Sequence, residues 1–148
     1  MQLKQAVSRM ITLYTPDIHH PFILCPDASE YAISACLLQM DPDTKVERPI
    51  AFVSKKLNGA QCNYSVSEKE ALAVVYGLSK FDYIVFSSPI TLYTDQNPLV
   101  FLAHASAGTS SRLIRWGLGL ARYDLTVVGV KGSDNFLADY FSRVGQAV

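Results

Sequence analysis

The chain has 148 residues, 49% of them hydrophobic, and its 13 basic and 13 acidic side chains cancel to a formal net charge of zero. That length fits one domain with a real core, and the charge balance excludes a strongly basic nucleic-acid module while leaving room for a local basic face. No apolar run reaches the roughly 18 residues of a membrane helix and MQLKQAVSRM has no apolar signal core, so a soluble, intracellular protein is expected.

Residues 2–14 carry Leu3, Val7, Met10 and Ile11 at helical spacing and predict a short entry helix that stops before Thr15-Pro16. Phe22 to Cys25 is a short apolar run bounded by prolines, Ala32 to Met40 a second run, and Pro49 to Val53 a third beyond the turn chemistry of Asp41-Pro42-Asp43. Three strands with short connections read as an antiparallel meander. Asn58-Gly59 is turn-like. A helix follows from Ser65 or Ser67 to about Phe86, with Val74, Leu78, Phe81 and Val85 on one stripe. Two overlapping capping boxes mark its start, Ser65-x-x-Glu68 and Ser67-x-x-Glu70.

Pro89 blocks continuation of that helix, and Ile90 to Thr94 reads as a strand ending at Asp95. A short helix over Pro98 to Ala103, a loop over Ala105 to Ser111, a helix over Arg112 to Tyr123, a strand over Leu125 to Val130 and a terminal helix over Asn135 to Arg143 complete the order. Helix-length insertions allow parallel neighbours, so the expectation is an α/β domain whose mixed sheet joins a meander to crossover strands. Cys25, Cys36 and Cys62 are odd in number, lie on apolar segments and lack CxxC spacing, the pattern of buried thiols.

Four acids stand out. Asp27 and Asp95 each end an apolar strand and precede small or polar residues, Ala28-Ser29 and Gln96-Asn97. Side by side, two such carboxylates repel unless a cation lies between them, and magnesium takes oxygen ligands of this kind. On the long helix, Glu70 lies about 40° from Val74 and Glu68 about 120° away at about 100° per residue, so Glu70 faces the sheet. The plain alternative is that Glu70 closes a capping box with Ser67. Asp139 sits between apolar residues of the terminal helix. Each acid taken singly is better read as a turn cap or a solvated charge.

Together, PFILCPDASEYAISACLLQ, RPIAFVSKKLNGAQCNYSVSEKEALAVVYGLSKF, ITLYTDQNPLVFL, RLIRWGLGLARYDLTVV and NFLADYFSR resemble the ribonuclease H domain that ends reverse transcriptase in gypsy-class LTR retrotransposons. The resemblance covers about Pro21 to Arg143 in the family's order and spacing. It implies a ribonuclease H-like fold, a five-stranded mixed sheet flanked by helices, with residues 1–20 as the tail of the reverse transcriptase connection and 21–148 as the domain. It assigns Asp27, Glu70, Asp95 and Asp139 as catalytic metal ligands for two Mg²⁺ ions, replaceable by Mn²⁺. Asp27 bridges the ions, Glu70 and Asp95 complete the leaving-group site, and Asp139 helps hold the ion that activates water. Pro26 replaces the usual threonine before Asp27, Ser34 stands where glycine is common, Gln96 where many relatives have histidine, and Tyr140-Phe141 where a smaller pair is usual. The loop Gly129 to Asp134 lacks the histidine some relatives carry.

The implied reaction is two-metal hydrolysis of the RNA strand of an RNA·DNA hybrid during reverse transcription, in the cytoplasm within a retrotransposon particle. Its implied partners are the hybrid and the upstream reverse transcriptase domains of one Pol polyprotein. Ser29, Ser65, Ser67, Gln96 and Asn97 are candidate contacts to 2′-hydroxyls. Arg112, Arg115 and Arg122 fall within roughly 80° of one another on the second long helix and form a candidate phosphate-tracking stripe or a solvated face. Lys55-Lys56 is a weaker basic pair. The competing reading is a degenerate or domesticated ribonuclease H-like module with a structural or protein-interaction role.

Overall fold

Phe22–Ala28 (β1) is apolar along both of its faces, as a strand covered on both sides must be, and it occupies the middle of a five-stranded sheet ordered β3-β2-β1-β4-β5. The computed structural model describes residues 13–94 and 111–129. Ala32–Met40 (β2) and Glu47–Lys56 (β3) complete an antiparallel meander with β1, while Pro89–Thr94 (β4) and Asp124–Gly129 (β5) run parallel on its other side. The helices are Gly59–Cys62 (α1), Val66–Val85 (α2) and Ser111–Leu120 (α3). This is the mixed sheet that the order of apolar runs predicts.

The core forms where α2 crosses β1 and β2. Phe22, Leu24, Ala35 and Leu37 from these strands meet Ala71, Val74, Leu78, Phe81 and Val85 of α2, with Ile90 and Leu92 of β4 and Leu113, Trp116 and Leu120 of α3 extending the cluster. Gly77 permits the close approach, since a Cβ there would stand 2.7 Å from the Ala35 Cβ.

Several boundaries differ from the sequence expectation, each for a local reason. β3 spans ten residues rather than five because its edge position tolerates the polar ends Glu47-Arg48 and Ser54-Lys55-Lys56. A register shift between Leu37 and Leu38 leaves Ile50 as the extra residue beside Pro49, a proline that an edge strand can hold. Asn58-Gly59 is not a free turn: the Gln61 N–H donates to Asn58 Oδ1 at 2.8 Å and the Asn58 N–H to Gln61 Oε1 at 3.1 Å, capping α1. α3 stops at Leu120, short of Tyr123. Leu13 and Tyr14, the described part of the expected first helix, are not helical. The expected helices over Pro98–Ala103 and Asn135–Arg143, the loop over 105–110, Val130 and residues 1–12 lie outside the described residues.

Candidate active site

The site is built at the C-terminal ends of the adjacent parallel strands β1 and β4, where a sheet of this kind opens a crevice for ligands. Asp27 is the penultimate residue of β1, half-buried and in register with Ser34 across the ladder to β2. Pro26, a residue unsuited to a central strand, is accommodated by the direction of its backbone. The Ser29 N–H donates to the Ala32 carbonyl at 2.8 Å, so by alternation the Asp27 N–H points to β2 and the Pro26 nitrogen to β4. The β1–β4 ladder runs only from Phe22↔Ile90 to Leu24↔Leu92. The proline thus lacks its donor on the side where pairing has already ended, and Asp27 keeps its place in the β1–β2 ladder. Carrying the β1–β4 register onward puts Thr94 level with Pro26, one residue behind Asp27.

The helix acids divide into two tasks. Ser65 is the N-cap of α2: its hydroxyl accepts from the Glu68 N–H at 3.2 Å, and Glu68 Oε1 accepts from the Ser65 N–H at 3.3 Å. Glu68 also pairs with the Arg112 guanidinium. Burial by itself raises the Glu68 carboxyl, but the Ser65 backbone and hydroxyl together with Arg112 outweigh it and hold the group below its ordinary value. Glu70 is left outside this box. Its Oε1 accepts a 3.1 Å hydrogen bond from the hydroxyl of Thr94, the last residue of β4 and 1% exposed. The carboxylate from the helix and the end of β4 are therefore joined at the rim that Asp27 shares. Asp95, Asp139, Gln96 and Asn97 lie outside the described residues.

The β1–β2 hairpin that carries Asp27 is fixed from three sides. Ser29 Oγ accepts from the Ala32 N–H at 3.1 Å and donates to its carbonyl at 3.2 Å; the Leu57 N–H donates to the Tyr31 carbonyl at 2.7 Å. Lys69, 9% exposed, reaches from α2 to give the Glu30 carbonyl a 3.3 Å bond. Neither Lys69 nor Thr94 is singled out by the sequence. The available signal for Lys69 is buried Ala73, four residues on and therefore on the same ridge of the helix.

Among the basic candidates, Arg112 turns inward. Its guanidinium lies 4.1 Å from the Tyr64 ring centroid and 5.5 Å from that of Trp116, besides its bond to Glu68. Arg115 is exposed, whereas Arg122 falls beyond the end of α3, over the Phe86 ring at 5.9 Å. The three arginines are thus not one helical stripe. Cys25 and Cys36 are buried opposite each other on β1 and β2, and Cys62 is half-buried; all three are free thiols. Burial pushes the Cys25 thiol up to about 12 and Cys36 up as well, which removes both as nucleophiles. Among the described residues no group of three or more His, Cys, Asp and Glu side chains forms a metal cluster, and no helix is long and apolar enough to cross a membrane. Asp27 and Glu70 supply hard oxygen donors of the kind magnesium takes.

Comparison with known proteins agrees with this fold. A family model described as the RNase H-like domain found in reverse transcriptase matches residues 17–123. The chain is 34% identical over 143 residues to the retrovirus-related Pol polyprotein from transposon 297 of Drosophila melanogaster, covering 97% of this chain and 13% of that protein. It is 35% identical over 137 residues to the corresponding polyprotein of transposon gypsy from the same organism, covering 92% of this chain and 13% of that one. It therefore spans about an eighth of the length of these relatives. The foamy viral protease-reverse transcriptase in complex with RNA/DNA hybrid superposes with a TM-score of 0.70 at 18% identity, over 86% of this chain and 18% of that one, a likeness of fold. Strand order, the helix seated on β1 and β2, and the span of the family match lead to one conclusion: the chain belongs to the RNase H-like domains found in reverse transcriptase, among those of gypsy-class retrotransposon Pol polyproteins.

Proposed function

We propose that this domain is a metal-dependent endonuclease that cuts the RNA strand of RNA·DNA hybrids during reverse transcription, working in the cytoplasm beside the reverse transcriptase domains of its polyprotein. The observation that carries the reading is the division of labour on α2: Ser65 and Glu68 close the helix cap, and Glu70 is held by Thr94 at the strand-end rim where Asp27 lies. A helix acid needed only for capping has no reason to occupy that rim.

In the proposed site Asp27, Glu70, Asp95 and Asp139 hold two Mg²⁺ ions, with Mn²⁺ as a substitute. Such a pair supplies Lewis acidity at the scissile phosphate and lowers the pKa of the attacking water. The chain's own part is positional. The Thr94 hydroxyl restricts the Glu70 carboxylate to one orientation, and the Ser29 turn with the Lys69 bond keeps the hairpin bearing Asp27 from moving against α2. Ser29, Ser65, Ser67, Gln96 and Asn97 are the proposed contacts to 2′-hydroxyls; Ser29 and Ser65 also build the turn and the cap that present them. Arg115, exposed on α3, is a proposed phosphate contact, and Arg112 supports the site by fastening α3 to the start of α2.

The test is cleavage of a labelled hybrid by the wild type and by Asp27→Asn, Glu70→Gln and Glu68→Gln. Loss of a direct ligand should exceed the roughly 10–100-fold that loss of an outer-shell partner costs, so Asp27→Asn and Glu70→Gln should lack measurable cutting while Glu68→Gln retains most of it. Equal cutting by all four proteins refutes the assignment.

A further inference from the structure

A second basic feature lies on the other side of α2, where the sequence reading has only a weak pair. Lys55, near the end of β3, and Lys80, on α2, each place their ammonium 5.7 Å from the centroid of one ring, that of Tyr76. The two charges are therefore no farther apart than twice that distance. Lys55, Lys56 and Lys80 are exposed, and none is ion-paired with a described residue. Of the surrounding acids, Asp41, Asp43 and Glu47 are at the opposite end of β3, Glu30 lies in the β1–β2 turn, and Asp82, two residues from Lys80 on α2, accepts from the Tyr123 hydroxyl. Two like charges gathered on one ring from two different elements repel each other, and the ring's negative face offsets that only in part. A cluster of two cations on one ring suits an anion.

The position of the pair relative to the candidate active site points to a nucleic-acid phosphate. Lys55 pairs with Ile33 across β2–β3, and Ile33 pairs with Ala28 across β1–β2, so Lys55 stands two strand spacings from the residue next to Asp27. At about 4.8 Å per spacing the backbone of Lys55 is about 10 Å away, and Lys80, ten residues along α2 from Glu70, is about 15 Å from that acid at about 1.5 Å per residue. These are about three and about four nucleotides at a rise of about 3.4 Å per nucleotide along one strand. A duplex lying with one phosphodiester at Asp27 therefore extends well past this point. With a net charge of zero, the chain gains no affinity from its overall field, and a local pair of cations is what can hold the backbone.

We propose that Lys55 and Lys80, set around Tyr76, form a phosphate-backbone contact for the duplex about three to four nucleotides from the cleavage point. It rests on the function proposed above only in taking nucleic acid as the anion. The experiment measures binding of the intact chain to a fluorescein-labelled 18-base-pair RNA·DNA hybrid by anisotropy in EDTA, across 50–150 mM salt. Each phosphate contact contributes a slope of about 0.9 in log affinity against log salt for a B-form duplex. The Lys55→Ala/Lys80→Ala double variant should therefore lose about 1.8 from the wild-type slope. Over that threefold change in salt, the wild type should lose about sevenfold more affinity than the variant. Lys55→Gln/Lys80→Gln, which keeps the side-chain stems, should behave alike, with melting temperatures close to wild type. An unchanged slope in both double variants overturns the contact and leaves the cleavage reading standing. A lowered slope supports the contact even where the wild type, given Mg²⁺, fails to cut, an outcome that counts against the cleavage reading alone.

Discussion

Replacing Gly77 with alanine tests whether the seat of α2 on the sheet is as tight as the site requires. The added Cβ would meet the Ala35 Cβ at 2.7 Å, with Leu24 methyls at 3.5 and 3.9 Å. Carbon atoms prefer about 3.5–4.0 Å, so the helix has to lift by most of an ångström, and Ala35 cannot yield because its Cβ is fixed to a central strand. Overpacking of this kind costs about 1–3 kcal/mol, against about 1 kcal/mol gained from helix propensity. The net is a loss of up to about 2 kcal/mol, a fall of about 4–8 °C in melting temperature at the sensitivity expected for a domain of this size. Gly119→Ala is the control: it is on α3 with nothing within 4 Å of the new methyl, so it should stabilise by up to about 1 kcal/mol. Thermal and urea denaturation of both variants measure this. Ala35→Gly should lessen the damage of Gly77→Ala, seen as a favourable coupling in the double-mutant cycle. A Gly77→Ala protein as stable as Gly119→Ala would refute the close-contact argument.

Thr94→Val keeps the shape of the buried side chain and removes its hydrogen bond to Glu70. A bond to a charged group is worth about 1.5–3 kcal/mol, and hybrid cleavage should fall about 10–100-fold with little change in hybrid affinity; unchanged cleavage would show that Glu70 needs no such support. Glu68 gives a pH signature. The folded state holds its carboxyl below the ordinary 4.5, so its stabilisation is complete above that value and disappears as pH falls through the lower folded value. Below pH 4.5, urea midpoints of the wild type should therefore drop more steeply than those of Glu68→Gln, and parallel curves would argue against the contacts with the Ser65 backbone and Arg112 that hold the carboxyl down.

Periodicity alone determined much of this protein. The apolar runs predict the meander and its order, Ala32–Met40 is bounded as found, and the stripe of Val74, Leu78, Phe81 and Val85 is buried as drawn. These features are local: a side-chain period of two or 3.6 residues is written along the chain itself. Angular spacing also put Glu70 inside the helix stripe, although either capping box satisfied the sequence. The choice between the boxes was decided by contacts 24 and 44 residues distant, Thr94 drawing Glu70 to the strand end and Arg112 binding Glu68. The same reasoning applies to the basic residues. A helical wheel treats Arg112, Arg115 and Arg122 as equivalent, but only packing shows that Arg112 is enclosed by Tyr64 and Trp116 and that α3 ends before Arg122. Lys55 and Lys80, 25 residues apart, share the Tyr76 ring because the fold brings the end of β3 up to α2. Pro26 shows the limit most plainly. Its lost donor is visible in the sequence, but whether that loss matters depends on which neighbouring strand the missing N–H would face, and that is fixed only when β1 pairs with β2 and β4.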